Sequence, residues 1–174
     1  MLIKSNYNLE SSAISFLENN ETITLFSAYI RTEQLRKINQ TNNINQIVVR
    51  WEVGDICFGA SDLELYDYCR DNNIKLFRNT KIHLKAFWNN KRSVLFGSAN
   101  VTKNGIGEGG NLELNGIQED ISHSDIKYFN DTYYWDRGKR KTFSWTPRFI
   151  CANSVKEALE LFNKRLDNFE LSIY

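Results

Sequence analysis

The sequence is poor in the residues that cross-link or interrupt a chain, with three cysteines and one proline among 174 residues. Cys57, Cys69 and Cys151 form no Cys-x-x-Cys pair, so we expect reduced, buried thiols rather than a disulfide framework or a metal site. No apolar run approaches the ~18 residues of a membrane span. The first residues, MLIKSNYNLE, lack an apolar signal segment. We therefore expect a soluble, cytoplasmic protein with no membrane partner.

Acidic residues are missing from a long central segment, between Asn72 and Gly107. The basic residues of that segment are Lys75, Arg78, Lys81, Lys85, Lys91, Arg92 and Lys103. A second basic run, RGKRKTFSWTPR at 137–148, alternates cations with aromatic residues. Because the formal net charge is only +1, these runs are local features. Together they favour a polyanionic partner such as nucleic acid, and the alternative for each run alone is a solvated basic face.

Hydrophobic periodicity and turn residues predict alternating helices and strands. We expect helices at 8–19, 31–40, 61–71, 124–136 and 153–168. We expect strands at 22–30, 44–52, 74–78, 82–88, 92–97 and 111–117. Ser61 with Glu64 three residues later has the spacing of a capping box at a helix start. This order predicts an α/β fold, with a mixed, mostly parallel β-sheet flanked by helices, in a single domain spanning 1–174.

The most informative motif surrounds one of the two histidines in the chain. His83 lies two residues before Lys85, so an extended strand would place both side chains on one face. Four residues then precede Asn90, and six more precede the turn 97–100, Gly-Ser-Ala-Asn. A glycine-bearing loop leads on to Glu113. A lone His-x-Lys is usually structural, but the joint spacing is far more specific.

The joint pattern resembles the phospholipase D superfamily, whose signature is His-x-Lys, four residues, Asp, six residues, Gly-Ser or a similar pair, one residue, Asn. The resemblance covers about residues 20 to 120 and implies a phospholipase D-like fold. Asn90 replaces the aspartate of the family, and the chain carries one copy of the motif where the lipid enzymes carry two. The most similar members are compact, metal-independent restriction endonucleases and related nucleases.

The resemblance implies a role for each motif residue. His83 would attack phosphorus and form a phosphohistidine, while Lys85 and Asn100 would bind the non-bridging oxygens. Ser98 would be an additional donor to the phosphate, and Glu113 would orient the imidazole of His83. Such a site requires no metal and no cofactor.

The same chemistry requires a second histidine, on the other side of the phosphate, to protonate the leaving oxygen. His123 lies in a polar segment, ISHSD, and is more simply a surface residue at a helix start. We therefore predict a two-fold symmetric homodimer in which His83 of each chain faces one composite site.

The resemblance favours an endonuclease acting on DNA, with RNA as an alternative, in a restriction or phage-defence system that includes a separate helicase, ATPase or recognition protein. Candidate DNA contacts are Arg50, Lys103, Arg140, Lys141 and Trp145. For Arg50, an ion pair with Glu52 or Asp55 is equally consistent with the sequence. Alternative functions are a non-catalytic nucleic-acid-binding module and, less favoured by the single motif, a lipid phosphodiesterase.

Overall fold

The computed structural model describes residues 2–4 and 8–134, which lie within one compact unit, Met1–Thr142. The helices are α1 (Leu9–Glu18), α2 (Thr32–Ile38), α3 (Val53–Cys57), α4 (Glu64–Asp71) and α5 (His123–Tyr134). The strands are β1 (Leu2–Lys4), β2 (Ile23–Ser27), β3 (Ile44–Val49), β4 (Lys75–Arg78), β5 (Ala86–Trp88), β6 (Val94–Gly97) and β7 (Leu114–Gln118). The predicted helix at 153–168 lies outside the described residues, and the single domain stays a prediction.

The seven strands form one mixed sheet in the order β1-β7-β6-β5-β2-β3-β4. The α/β class is confirmed, but the prediction of a mostly parallel sheet was wrong. Only the β2–β3 and β3–β4 pairs are parallel, whereas β1–β7, β2–β5, β5–β6 and β6–β7 are antiparallel. The reason lies in the connections, because β5 and β6 are joined by a short turn that permits only antiparallel pairing.

The core lies on both faces of the central strands, since all five residues of β2 are buried. On one face, the ring of Phe129 from α5 lies 5.3 Å from the Trp88 ring and 5.6 Å from the Phe26 ring. On the other face, Leu25 of β2 and its partner Ile47 of β3 are also fully buried. Each such side chain contributes about 1.5–3 kcal/mol through removal from water, which fixes the sheet that positions the motif.

Several strand ends meet at one edge of the sheet. Strands β2, β3 and β6 end there, and strands β5 and β7 begin there. This alignment is shown by the residue pairs Phe26–Ala86, Ala86–Phe96 and Gly97–Asn115. We call this edge the site edge, because the motif residues flank it. The opposite edge carries the β5–β6 turn and the start of α5, where the backbone N–H of Ile121 bonds the Arg92 carbonyl at 2.9 Å.

Several details differ from the sequence predictions, which did not include β1 or α3. The capping box at Ser61 was wrong, because α4 begins at Glu64 with Leu63 as its N-cap. The buried Ser61 hydroxyl instead accepts a hydrogen bond from the backbone N–H of Ile30 at 3.2 Å, and so connects two loops at the site edge. The strand predicted at 82–88 begins only at Ala86, which leaves residues 82–85 in irregular extended backbone.

Candidate active site

His83 and Lys85 occupy the irregular segment that leads into β5, and their side chains have different environments. The His83 side chain is exposed, whereas Lys85 is only 8% exposed. The Lys85 Nζ donates a hydrogen bond to the backbone carbonyl oxygen of His83 at 2.6 Å. The Lys85 ammonium therefore bonds the backbone of His83 and not its imidazole ring.

Lys85 interacts with charged groups from two other segments at the site edge. Burial lowers the pKa of its ammonium below the ordinary 10.5, since desolvation penalises the charged form. The Glu113 carboxylate opposes that effect, and the nearby positive charge of Arg50 adds to it. One acid and two cations from three different segments are thus close enough to interact, at the point where the motif predicts a phosphate.

Asn100 is oriented by the loop that follows β2. Its Oδ1 accepts a hydrogen bond from the backbone N–H of Tyr29 at 3.1 Å and lies 3.3 Å from the Ser27 hydroxyl oxygen. The Ser27 hydroxyl donates to the Tyr29 carbonyl at 2.7 Å, which fixes the same turn. Because Oδ1 is engaged, the amide presents its Nδ2 donors to an incoming ligand, which is the orientation that an anion requires.

The glycine-rich loop packs directly beneath Asn100. A Cβ at Gly105 would lie 2.2 Å from the Asn100 carbonyl oxygen, so no other residue fits there without moving the backbone. This contact is a physical reason for glycine at this position of the loop beside the motif. Lys103, a candidate DNA contact, is exposed in the same loop.

Ser98 and Glu113 are joined across the β6–β7 pair. The Ser98 hydroxyl donates a short hydrogen bond to Glu113 Oε2, and it accepts one from the backbone N–H of Leu114 at 3.1 Å. The Ser98 backbone N–H also donates to the Leu114 carbonyl at 3.1 Å. The structure therefore places the Gly-Ser turn and Glu113 side by side, within electrostatic range of Lys85.

Arg50 follows β3 and forms the ion pair with Asp55 that the sequence left open. Its Nε donates to Asp55 Oδ2 at 2.9 Å, its Nη2 contacts Oδ1, and its guanidinium carbon lies 4.7 Å from the Tyr29 ring centre. Burial alone would raise the pKa of Asp55, but hydrogen bonds from Arg50 and the Glu52 backbone outweigh it and leave the pKa lowered. The guanidinium is thus locked in place, close to Lys85.

Tyr29 is the site residue that sequence reasoning missed. Its backbone N–H orients Asn100, and its hydroxyl accepts a hydrogen bond from Arg50 Nη2 at 2.8 Å. The only available signal was its position, two residues after the polar Ser27 at the end of an apolar strand. A lone tyrosine in such a place is common in sheets, so the sequence alone could not distinguish it.

Asn90, where the family has aspartate, lies at the opposite edge of the sheet from Lys85. It adopts φ = 58° in the β5–β6 turn, a conformation that asparagine tolerates better than most residues. Its Oδ1 accepts from the Thr24 hydroxyl at 2.6 Å, and its Nδ2 donates to the Thr22 carbonyl at 3.2 Å. Asn90 therefore connects the β5–β6 hairpin to β2. This position, where the phospholipase D motif has an aspartate, is remote from Lys85.

The remaining predicted residues are outside this cluster. His123 is exposed at the first turn of α5, at the opposite edge. Arg140, Lys141 and Trp145 lie outside the described residues. Among the described cysteines, Cys69 is buried, and burial raises the pKa of its thiol to about 12. The prediction of a buried thiol was wrong for Cys57, which is exposed at the end of α3.

Within the described residues, no group of three or more His, Cys, Asp or Glu side chains is arranged to hold a metal ion. None of the described helices combines the length and the apolar character that crossing a bilayer requires.

No protein-family model and no curated protein sequence matches this chain. Solved structures do. Nuc from Salmonella typhimurium, a phospholipase D family member, matches with a TM-score of 0.55 at 17% identity, over 81% of this chain and 99% of Nuc. NucT from Helicobacter pylori matches with a TM-score of 0.51 at 18% identity, over 78% of this chain and 94% of NucT.

A third match is phosphatidylserine synthase from Haemophilus influenzae, with a TM-score of 0.57 at 13% identity. It covers 94% of this chain, but this chain spans only 42% of the synthase. The fold is thus shared by proteins with different names and lengths, and these identities establish architecture rather than activity. The chain has the phospholipase D fold, as its His-x-Lys motif predicted.

Proposed function

We propose that the protein is a metal-independent phosphodiesterase that cleaves nucleic acid, with DNA as the favoured substrate. The observation that carries the proposal is the convergence at the site edge of Lys85, Asn100 and Glu113 around the segment that bears His83. The fold shared with Nuc and NucT over nearly their whole lengths supports a nuclease rather than a lipid enzyme.

The proposed reaction is two displacements at one phosphorus atom. A His83 nitrogen attacks phosphorus, and the bond from phosphorus to the leaving sugar oxygen breaks. A second histidine gives that oxygen a proton. In the second step this histidine takes a proton from water, the water oxygen bonds to phosphorus, and the bond to His83 breaks. Lys85 and the Nδ2 of Asn100 stabilise the charge on the non-bridging oxygens in both steps.

The second histidine in this proposal comes from a second chain. His123 belongs to the helix that follows β7, whereas the site lies where β7 begins. The five residues of β7 separate the two edges by about 16 Å at ~3.3 Å per residue. That distance is several times the reach of a hydrogen bond. We therefore propose a homodimer with His83 of both chains at one composite site.

Apolar side chains beside the site offer a surface for such a dimer. Leu112 is 87% exposed, Leu114 54% and Phe96 47%. Phe96 pairs with Gly116, so Phe96 and Leu114 lie on one face of neighbouring strands. We define these three residues as the apolar patch. A second copy that covered the patch would remove it from water and bring a second His83 to the same edge.

Leu114→Glu is therefore expected to convert the dimer to a monomer and to reduce cleavage about a hundredfold or more, because a buried unpaired carboxylate is costly. Sedimentation velocity and cleavage assays would measure both effects. Gln118→Glu is the matched control, since it adds the same charge four residues along the same strand, at the opposite edge. A Leu114→Glu protein that stays dimeric and fully active would exclude the patch as the interface.

The proposed function is tested by incubating the purified protein with single-stranded and plasmid DNA in excess EDTA. We expect cleavage that persists in the chelator. Binding without cleavage would favour the non-catalytic module instead, and binding only to phospholipid vesicles would favour the lipid enzyme. The similarity of the motif to restriction endonucleases is the basis for proposing a role in restriction or phage defence, with a separate helicase, ATPase or recognition protein.

A further inference from the structure

An aromatic side chain projects from the site edge, and none of the residues that the structure describes covers it. Phe58 is 91% exposed, which makes it the most exposed large apolar residue in the described part of the chain. It follows the short helix α3, which begins three residues after Arg50. The residues around Phe58 are exposed as well, namely Val53, Gly54, Cys57 and Gly59. We call residues 53–59 the projection.

The projection is firmly held at its base. The backbone N–H groups of Phe58 and Gly59 bond the carbonyls of Gly54 and Ile56 at 2.9 Å and 3.0 Å. The Ser61 N–H bonds the Asp55 carbonyl at 2.9 Å, and the same Asp55 side chain holds Arg50. The backbone of Phe58 is therefore held in place, so little ordering of the main chain would be needed when a ligand binds.

Three arginines from separate segments surround the base of the projection. Arg31 Nη1 donates to the Gly59 carbonyl at 3.3 Å, and Arg78 Nε donates to the Trp51 carbonyl at 3.0 Å, while Arg50 holds α3 through Asp55. Acidic groups pair with two of them, Asp62 with Arg31 at 3.4 Å and Asp55 with Arg50. Arg50 also lies close enough to Lys85 for its charge to lower the pKa of the Lys85 ammonium.

From this arrangement we infer that Phe58 is a stacking platform for an unpaired base of the nucleic acid whose phosphate lies at Lys85, and that the site takes single strands in preference to duplex. The inference rests on the proposed function. An aromatic ring between cations matches a chain that alternates bases with phosphates. A duplex hides the faces of its bases, whereas a single strand presents them.

The test measures binding without turnover, in the His83→Ala protein in excess EDTA, with fluorescent single-stranded and duplex oligonucleotides. Phe58→Ala is expected to weaken single-strand binding about tenfold, the effect typical of one lost base–aromatic stack, and to leave duplex binding unchanged. Phe58→Trp is expected to restore binding, and Phe58→Leu is not, because leucine has no π face. Val53→Ala, which trims an exposed apolar residue of the same helix, is the matched control.

Unchanged single-strand binding by Phe58→Ala, or full rescue by leucine, would overturn the inference. A change of oligomeric state in Phe58→Ala would overturn it too, by showing that the ring contacts a second copy. Failure of the proposed function is distinct, since it would appear as a wild-type protein that binds single strands but does not cut them. If the His83→Ala protein binds no single-stranded oligonucleotide at all, both the inference and the proposed function are overturned.

Discussion

Replacing His83 with alanine is expected to reduce DNA cleavage by about a thousandfold or more, the scale of loss when a covalent nucleophile is removed. Binding should change little. The His83 imidazole is exposed, and Lys85 bonds the backbone carbonyl of His83 rather than its ring. The truncation therefore removes the attacking nitrogen while the groups that hold the phosphate stay in place.

The measurement is single-turnover cleavage beside an equilibrium binding titration, both in excess EDTA. His123→Ala is the matched control, because it removes the other histidine, which is also exposed but lies at the opposite edge. We expect the control to cleave at the wild-type rate. If the His83→Ala protein cleaves at a rate within about tenfold of wild type, His83 is not the nucleophile.

Lys85→Met is expected to impair both binding and cleavage, with cleavage reduced about a hundredfold to a thousandfold. The change keeps the apolar stem and deletes a mostly buried cation that the phosphate would contact in the proposed mechanism. The free energy of unfolding should not fall, because burying an ammonium already costs stability. Lys91→Met, at an exposed lysine in the hairpin turn, is the control and should leave both properties unchanged.

The pH dependence of binding offers a separate test of Lys85. Its pKa is lowered from 10.5, and the protonated form is the one that attracts phosphate. The contribution to binding is therefore present below the lowered pKa and is lost as the pH rises through it, earlier than for an ordinary lysine. In the His83→Ala protein, single-strand affinity should decline on the alkaline side, and Lys85→Met should abolish that decline. An identical decline in both proteins would assign it to another group.

Much of the fold could be predicted because its first half follows local rules. The strands β2 and β3 are short apolar runs, and α1 has apolar residues at helical spacing, so periodicity located all three. The motif itself predicted where the candidate site lies, since His83 and Asn100 flank two strands whose turn is only a few residues long. The roles proposed for the four motif residues remain predictions.

The rest depended on tertiary contacts that no local pattern encodes. The predominance of antiparallel pairs follows from the positions that β5 and β7 take in the sheet. These positions depend on contacts between residues that are far apart in the sequence. Burial of Lys85 likewise depends on the loops around it, because a lysine between apolar residues is usually exposed. Tyr29 and the Arg50–Asp55 pair became recognisable only once β2 and β3 ended beside the motif.

The stereochemistry at phosphorus tests the central claim most directly. The substrate is an oligonucleotide with one phosphorothioate linkage of defined configuration, cleaved by wild-type protein in excess EDTA and ¹⁸O-labelled water. Two successive in-line displacements, the first by His83 and the second by water, predict net retention of configuration in the product. Inversion would show a single direct attack by water, and it would contradict the phosphohistidine mechanism however strongly His83→Ala reduced the rate.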